Sequence, residues 1–350
     1  MKLRGQNPKR RVIEIPQAFD FIACDITSNC NLRCPFCIND FNRIKKTECM
    51  STQTFEKILS LFPLIQCDSS FFFSCLFEPT IHPNYLELLR MIPENERHKV
   101  FFTTNLAKHI PSDIFEELTR LAIRHINISL DSLNPDTYHS MRKGGSFDVF
   151  YDNLQRLVAI FSKNPRAPKL RYITILCKSN IGEVIGLVEQ SSKRFLAIEH
   201  ELRCFQPFSF QNQEWIKANI ITKKEWNNLK HKLRHSLYPT SFSPHYDQRH
   251  IVDPYQSVDN WTKVYWIPSY VSLQVLPNGE VVLMHMLEHI SFNIHDIKNP
   301  LPFFKSILAL HALDIARGKE LNWIIHRNPF DRVISFLKKT KSLLAKFFNR

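Results

Sequence analysis

The chain has 350 residues, of which 44% are hydrophobic and 23% charged, and its formal net charge at neutral pH is +13. This length and apolar content exclude a globally disordered chain and suit one large domain or a main domain with a smaller companion. The longest apolar stretch, residues 71–77, is far too short to cross a bilayer, so we expect a cytoplasmic protein.

An α/β pattern occupies most of the chain. Residues 1–16 read as a basic leader, and residues 17–205 alternate short apolar runs with helical periodicities. The six runs that we interpret as strands are 21–27, 70–76, 99–104, 125–131, 169–177 and 199–205. Enough chain separates them for a helix each time, which predicts repeated βα units and a parallel sheet. Periodicity alone does not separate a partial TIM-like barrel from a doubly wound sheet.

Capping signals support the intervening helices. Ser51 is placed to cap a helix whose apolar side chains follow at helical spacing, and Asn134 followed by Pro135 is a typical helix start. Gly144 and Gly145 supply a break before the next helix, which we expect to begin near residue 147.

The alternation stops after residue 205, where we place the start of a smaller C-terminal α+β extension, residues 206–325. Its predicted elements are a helix at 223–237, a hairpin turning at Pro277-Asn278-Gly279, and a helix at 301–317. We expect this extension to shape a substrate pocket.

Residues 326–350 form a predicted basic amphipathic helix. From 329 to 350, apolar side chains recur at helical spacing with lysines and arginines between them. Two interpretations stay open. The apolar stripe packs onto the barrel, or the helix docks on an anionic membrane surface, which would make the protein peripheral to the inner membrane.

Three cysteines, Cys30, Cys34 and Cys37, lie in one predicted loop directly after the first strand. All nine cysteines fall at or before Cys204, and an odd count with such a cluster resembles a metal site more than a disulfide framework. Thiolates select iron-sulfur clusters or zinc. Three ligands on a four-iron cube leave one iron open, which a catalytic metal requires.

A structural zinc site is the alternative, with Cys24 or Cys49 as a fourth ligand. Structural zinc usually shows paired cysteines at recognisable spacing, and neither residue forms such a pair. Unmetallated buried thiols fit less well, because Asn31, Arg33 and Pro35 suit a loop better than a core.

The Cys-x3-Cys-x2-Cys loop with Phe36 before its last cysteine resembles the signature of the radical S-adenosylmethionine (SAM) superfamily. Weaker matches follow in order at the ends of later strands. They are Ser74-Cys75-Leu76-Phe77-Glu78-Pro79, Thr103-Thr104-Asn105, Ile128-Ser129-Leu130-Asp131, Tyr138 with Met141-Arg142, Gly144-Gly145-Ser146-Phe147 and Lys178-Ser179-Asn180. The fourth-strand block is similar to the SPASM/twitch subgroup, which includes peptide and sulfatase maturases.

This resemblance implies a fold and a chemistry. The fold would be a partial (β/α)6 TIM-like barrel. One 4Fe-4S cluster, held by Cys30, Cys34 and Cys37, would bind SAM at its open iron. An electron from a small protein such as flavodoxin or ferredoxin would then split SAM into methionine and a 5'-deoxyadenosyl radical, which abstracts hydrogen from the substrate.

The resemblance also implies residue roles. Phe36 would pack near adenine, and Glu78 with its neighbouring backbone would take the SAM amino group. Ser129 and Arg142 would hold the ribose and carboxylate, a task that suits the guanidinium fork. Asn105, Asp131 and Asn180 complete the expected cofactor-binding set, and Cys204, near the end of the sixth strand, is a candidate hydrogen donor.

Two features depart from the family pattern. Leu76 and Phe77 stand where the family has two glycines, and Leu106 replaces the glycine after Asn105. Residues 266–296 are similar to the start of a SPASM or twitch extension, but no cysteine follows Cys204, so we expect no auxiliary cluster.

The leading hypothesis is therefore a radical SAM enzyme, an oxidoreductase or a transferase, acting on a peptide, carbohydrate or lipid-linked substrate. One rival is a non-catalytic Fe-S or zinc scaffold that retains the barrel. The other is an RNA-modifying radical SAM enzyme, which the positive charge permits. No RNA-binding module is recognisable, so we do not expect a nucleic-acid partner.

Overall fold

The structure is a computed structural model, which describes residues 17–42, 44, 46–74, 76–205, 207–242, 272–284 and 291–316. The predicted basic leader (1–16) and the amphipathic helix (326–350, with its apolar stripe from 329) lie outside the described residues. So do parts of the predicted extension, including His285 and the segments 243–271 and 317–325.

One sheet organises the described residues. Its strands are β1 (Phe19–Cys24), β2 (Ile65–Phe73), β3 (Val100–Thr104), β4 (His125–Ser129), β5 (Lys169–Leu176), β6 (Ala197–Cys204), β7 (Thr240–Phe242), β8 (Ser272–Val275), β9 (Glu280–Met284) and β10 (Ser291–Asn293). They are ordered β10-β9-β8-β1-β2-β3-β4-β5-β6-β7. Neighbours from β8 through β1 to β7 pair in parallel, and β9 and β10 pair antiparallel.

The strand order separates the two candidate architectures. In a doubly wound sheet the order reverses at a switch point. Here β1 to β7 follow one another without reversal, as in the wall of a barrel. The protein is thus an α/β chain folded as a partial TIM-like barrel, and the six predicted strands correspond to β1–β6.

Helices connect these strands. They are α1 (Thr52–Leu59), α2 (Tyr85–Met91), α3 (Ser112–Arg120), α4 (Pro135–Met141), α5 (Phe147–Phe161), α6 (Val184–Arg194), α7 (Gln213–Asn219), α8 (Lys223–Arg234) and α9 (Pro300–Ala316). Ser51 caps α1 by accepting from Thr54 N, and Asn134 caps α4, as the sequence predicted. None of the described helices is long and apolar enough to cross a membrane.

Alternation along the strands divides the sheet into two faces. Phe71, Phe73 and Phe102 belong to the main apolar core. Their neighbours point to the opposite, inner face, where the rings of Phe72 and Phe101 stack at 4.4 Å and those of Phe101 and His125 at 4.6 Å. Stacked rings therefore fill the inner face of the barrel near the amino-terminal end of the strands.

The described part of the C-terminal extension continues the barrel sheet and does not form a separate layer. β8 pairs in parallel with β1, and the turn to β9 uses Gly279 at a φ of +83°, in the left-handed region that glycine tolerates. From α9, Phe304 packs against Phe19 with ring centroids 6.1 Å apart. β8 thus covers the β1 edge of the barrel.

Candidate active site

The carboxyl ends of β1–β6 and the loops that follow them carry most of the residues singled out in the sequence. This is the edge where barrels place their active sites. The cysteine loop follows β1 and is fastened on two sides. Arg33 N donates to Lys143 O at 2.8 Å, and Gln211 Nε2 donates to Cys37 O at 2.7 Å.

Hydrogen-bond donors surround the three sulfurs. Leu32 N lies 3.5 Å from Cys30 Sγ and Asn39 N lies 3.4 Å from Cys37 Sγ. Two side chains from other loops join them, with Asn105 Nδ2 3.6 Å from Cys30 Sγ and Arg142 Nη1 3.8 Å from Cys34 Sγ. Such donors stabilise thiolates and tune the potential of a cluster bound to them.

Burial controls the protonation of these thiols. It raises the pKa of Cys30 to about 12, with Glu78 adding to the effect, and the pKa of Cys34 to about 11, against the opposing charge of Arg142. Burial likewise raises the pKa of Cys37. Cys34 and Cys37 each raise the pKa of Cys30 slightly, so the three thiols interact electrostatically. Metal binding there must displace protons.

The donor set fits an iron-sulfur cluster better than the predicted zinc alternative. Cys24 is fully buried with its Sγ 3.8 Å from Met50 Sδ, whereas Cys49 is exposed beside Thr27 Oγ1. Within the ranges that the structure describes, no three Cys, His, Asp or Glu side chains converge on one ion. A four-iron cube is wider than a single ion and is reached by three thiolates from one loop.

Glu78 ties the loop after β2 to the end of β3. Its Oε1 accepts from Thr80 Oγ1 at 2.7 Å and from Thr104 Oγ1 at 2.8 Å, and its Oε2 accepts from Asn105 N at 2.7 Å. The side chain is fully enclosed, and burial raises its pKa despite these bonds. Glu78 therefore orients Asn105, which donates to Cys30.

Arg142 joins three parts of the site. Its Nη2 lies 2.5 Å from Asp131 Oδ2, its Nη1 reaches Cys34, and its guanidinium lies 5.4 Å from the ring centroid of Phe36. Nε has no acceptor among the residues that the structure describes. Ser129, half-buried at the end of β4, lies two residues before Asp131.

Two predicted site residues have other surroundings. Asn180 is fully buried. Its Oδ1 accepts from Cys177 N, and its Nδ2 donates to Asp131 O and Ile175 O, so it stabilises the loop after β5. Cys204 lies in an apolar cluster with Trp226 and Leu229 of α8, on the face of β6 away from the barrel interior. The structure therefore does not bring Cys204 to the site. Charged and apolar residues alternate along 199–204, and this pattern also places Cys204 on the outer face of β6.

The glycine replacements are accommodated by backbone geometry. Leu106 adopts φ +51°, and its side chain is buried in the main core. Leu76 N donates to Asp25 Oδ1 at 2.8 Å, and Leu76 O accepts from Asn39 Nδ2 at 2.7 Å. The Phe77 ring packs edge-on against Phe41. A left-handed leucine costs about 1–2 kcal/mol, which burial of its side chain offsets.

A short helix, α7, covers the cysteine loop and was missed in the sequence. Trp215 packs between Phe36 and Phe205, with ring centroids 5.9 Å and 5.7 Å apart. Its signal was Asn212, whose side chain caps α7 by accepting from Trp215 N at 3.0 Å. The extension therefore reaches the loop through Gln211 and Trp215.

Comparisons with known proteins cover the part of the chain that carries this site. The family model of the radical SAM superfamily matches residues 25–189. The GTP 3',8-cyclase of Microcystis aeruginosa is 30% identical over 122 residues, which cover 34% of this chain and 36% of that protein. The GTP 3',8-cyclase of Petrotoga mobilis is 29% identical over 155 residues, 41% of this chain and 44% of that protein. The chain thus spans less than half the length of these curated relatives.

Among solved structures, Streptococcus suis SuiB bound to S-adenosylmethionine superposes with a TM-score of 0.58 at 14% identity, covering 83% of this chain and 66% of that one. At this identity the likeness concerns the fold. Residues 25–189 with their three-cysteine loop constitute a radical SAM domain. Members of this superfamily use a 4Fe-4S cluster and SAM, and the relatives named above are enzymes.

Proposed function

We propose that this enzyme reductively cleaves SAM at a cluster held by Cys30, Cys34 and Cys37, and abstracts hydrogen from a peptide or carbohydrate. One observation carries the proposal. Cys30, Cys34 and Cys37 lie in a single loop that follows β1, and Asn105 and Arg142 donate to two of their sulfurs. When bound, the cluster and SAM supply the carbon-centred radical.

The chain's own residues would hold and enclose these groups. The three thiolates bind the cluster, and the four N–H donors around them offset its negative charge. Phe36 and Trp215 form an apolar layer beside the loop, which suits adenine and excludes water.

The SAM amino acid would lie between the loop after β2 and Arg142. The carbonyl of Leu76 accepts one hydrogen bond and keeps a second lone pair for an amino group. Arg142 Nε, which has no acceptor within the described ranges, provides a donor for a carboxylate beside Ser129. Glu78, Asp131 and Asn180 act as positioning residues, because protein groups already occupy their polar atoms.

An external electron donor is required, and we propose a small reduced protein such as flavodoxin or ferredoxin. A peptide substrate is supported by the SuiB fold, since one SuiB structure is described as bound to precursor peptide SuiA. That structure superposes with a TM-score of 0.58 at 15% identity.

The decisive experiment is anaerobic reconstitution with iron and sulfide, followed by SAM and dithionite. We expect about four iron ions per chain and release of 5'-deoxyadenosine. Cys34→Ala should lose both, whereas the exposed Cys49→Ala, its matched control, should keep both. Stoichiometric zinc without iron, or an intact cluster that releases no 5'-deoxyadenosine, would favour a scaffold instead.

A further inference from the structure

Polar side chains line the inner face of the barrel between β4 and β6, below the site. Strand register places them in rows, because paired residues of parallel strands point to the same face. One row joins Ser129, Ile173 and Glu201, and the row beneath it joins Asn127, Arg171 and Glu199. In the row above, Ile175 pairs with Arg203. We call Asn127, Arg171, Glu199, Glu201 and Arg203 the polar wall.

Four charges of the polar wall form one connected network. Arg171 Nε lies 3.0 Å from Glu199 Oε2, and Arg171 Nη2 lies 2.5 Å from Glu201 Oε2. Arg203 binds Glu201 through two bonds, Nε to Oε1 at 2.6 Å and Nη2 to Oε2 at 2.8 Å. Two cations and two anions sum to zero, so the network attracts neither a cation nor an anion as a whole.

Part of this wall remains available to a ligand. The side chains of Glu199 and Arg203 are 33% and 37% exposed. Among the described residues, Arg203 uses Nε and Nη2 and leaves the Nη1 donors without an acceptor. Asn127 Oδ1 is buried and has no donor in the part of the chain that the structure describes, although its Nδ2 donates to Thr103 Oγ1 at 3.2 Å.

An unmatched buried carbonyl is unfavourable, so a group that donates to Asn127 Oδ1 would stabilise the protein when bound. The same wall resists an apolar occupant. A hydrocarbon chain placed against it would remove the water that still reaches Glu199 and Arg203, which is unfavourable for charged groups.

We propose that the polar wall binds the substrate, and that the substrate is uncharged and bears hydroxyl or amide groups, as a carbohydrate does, in place of a lipid chain. Hydroxyl and amide groups both donate and accept, which matches the acceptor of Asn127 and the donors of Arg203. The wall adjoins the proposed SAM site, because Glu201 lies two strand spacings, about 10 Å, from Ser129. This inference rests on the proposed function.

The test uses the reconstituted full chain with SAM under anaerobic conditions and two probes of opposite character, N-acetylglucosamine and 1-hexanol. Binding is measured by saturation-transfer NMR titration. We expect wild-type protein to bind the sugar more tightly than the alcohol. Replacing one ion pair with apolar side chains, Glu201→Leu with Arg203→Leu, should weaken sugar binding roughly tenfold or more and strengthen alcohol binding.

The matched control is Glu189→Leu with Lys193→Leu, which removes an ion pair on the outer surface of α6. It should bind both probes as wild type does. Asn127→Leu is a second, independent variant in case the double change does not fold, and it should weaken sugar binding roughly threefold to tenfold through one lost hydrogen bond. Circular dichroism checks the fold of each variant.

Equal sugar affinity in wild type and both wall variants would overturn the inference, as would a wild-type preference for 1-hexanol. Release of 5'-deoxyadenosine by the same wild-type preparation separates the two proposals. If it is absent, the proposed function fails whatever the probes show. If it is present without a sugar preference, only the polar wall assignment fails.

Discussion

The half of the barrel from β1 to β4 and the half from β5 to β7 hold their polar groups differently. In the first half, Asp131 has no exposed side-chain surface and Arg142 is 11% exposed, and each is fixed by several partners. In the second half, the side chains of Glu199 and Arg203 are about a third exposed. Glu199 binds Arg171, and Arg203 binds Glu201. The polar groups beside the cysteine loop are thus fixed by protein partners, whereas those at the edge of the polar wall retain access to solvent.

This contrast predicts unequal effects for matched substitutions, and the largest concerns the two arginines. Arg142→Met leaves Asp131 buried without its cation and should lower the free energy of unfolding by about 3–5 kcal/mol. Arg203→Met removes a cation that is 37% exposed and leaves the buried Glu201 bound to Arg171, so it should cost less, about 1 kcal/mol. Urea denaturation measures both, and equal losses would contradict the contrast.

The two glutamates give the next largest difference. Glu78→Gln places an amide among donors that all point at it, so we expect a loss of about 2–3 kcal/mol in unfolding free energy. Glu199→Gln lies at a more exposed position and should change it by about 1 kcal/mol or less. A Glu78 variant as stable as the Glu199 variant would show that the Glu78 network is not important for the fold.

Acid should lower the unfolding free energy through buried histidines, chiefly His200 of β6. Burial, with a smaller contribution from Arg171, lowers the pKa of His200 to about 3, and the ring bonds Thr174 and Ser191. Above about pH 6.5, neither the folded nor the unfolded state protonates this ring. Below it, the unfolded state takes up a proton that the folded state refuses, so unfolding free energy falls by up to about 1.4 kcal/mol per pH unit.

His125, whose pKa burial and nearby arginines lower to about 4, adds to the same slope. Urea midpoints between pH 7 and pH 5 measure it. Relative to wild type, His200→Gln should show a shallower slope. An unchanged slope in His200→Gln would mean that this ring is protonated in the folded state.

Local signals predicted the strands and the cysteine loop because both depend on residues near each other in sequence. Apolar runs located β1–β6, and Ser51 and Asn134 marked two helix starts that the structure confirms. Strand order, which separates a barrel from a doubly wound sheet, depends on pairings across hundreds of residues. The parallel pairing of β8 with β1 is such a contact.

The candidate site was predicted unevenly for the same reason. The loop of Cys30, Cys34 and Cys37 is a compact motif, whereas Asn127, Glu201 and Arg203 occupy alternate strand positions with no motif around them. Cys204 was chosen for its position at a strand end, but its face of β6 packs against α8. Helix α7 was not predicted in the polar stretch after residue 205, because it is stabilised by packing of Trp215 onto Phe36, a residue far away in sequence.

The smallest expected effect tests whether α7 and its preceding turn secure the cysteine loop. Gln211→Ala removes the buried bond to Cys37 O and should lower unfolding free energy by about 1 kcal/mol. Since that bond holds the backbone of a proposed cluster ligand, loss of absorbance of the reconstituted cluster in air should also become several-fold faster. Gln213→Ala, which removes bonds to Phe208 O, Ser209 O and Gln211 O but none to the cysteine loop, is the matched control. If the cluster absorbance is lost equally fast in the two variants, the bond between Gln211 and Cys37 contributes only to the stability of the fold. A lower unfolding free energy alone would not show that this bond holds the cysteine loop, because the loss of any buried contact lowers it.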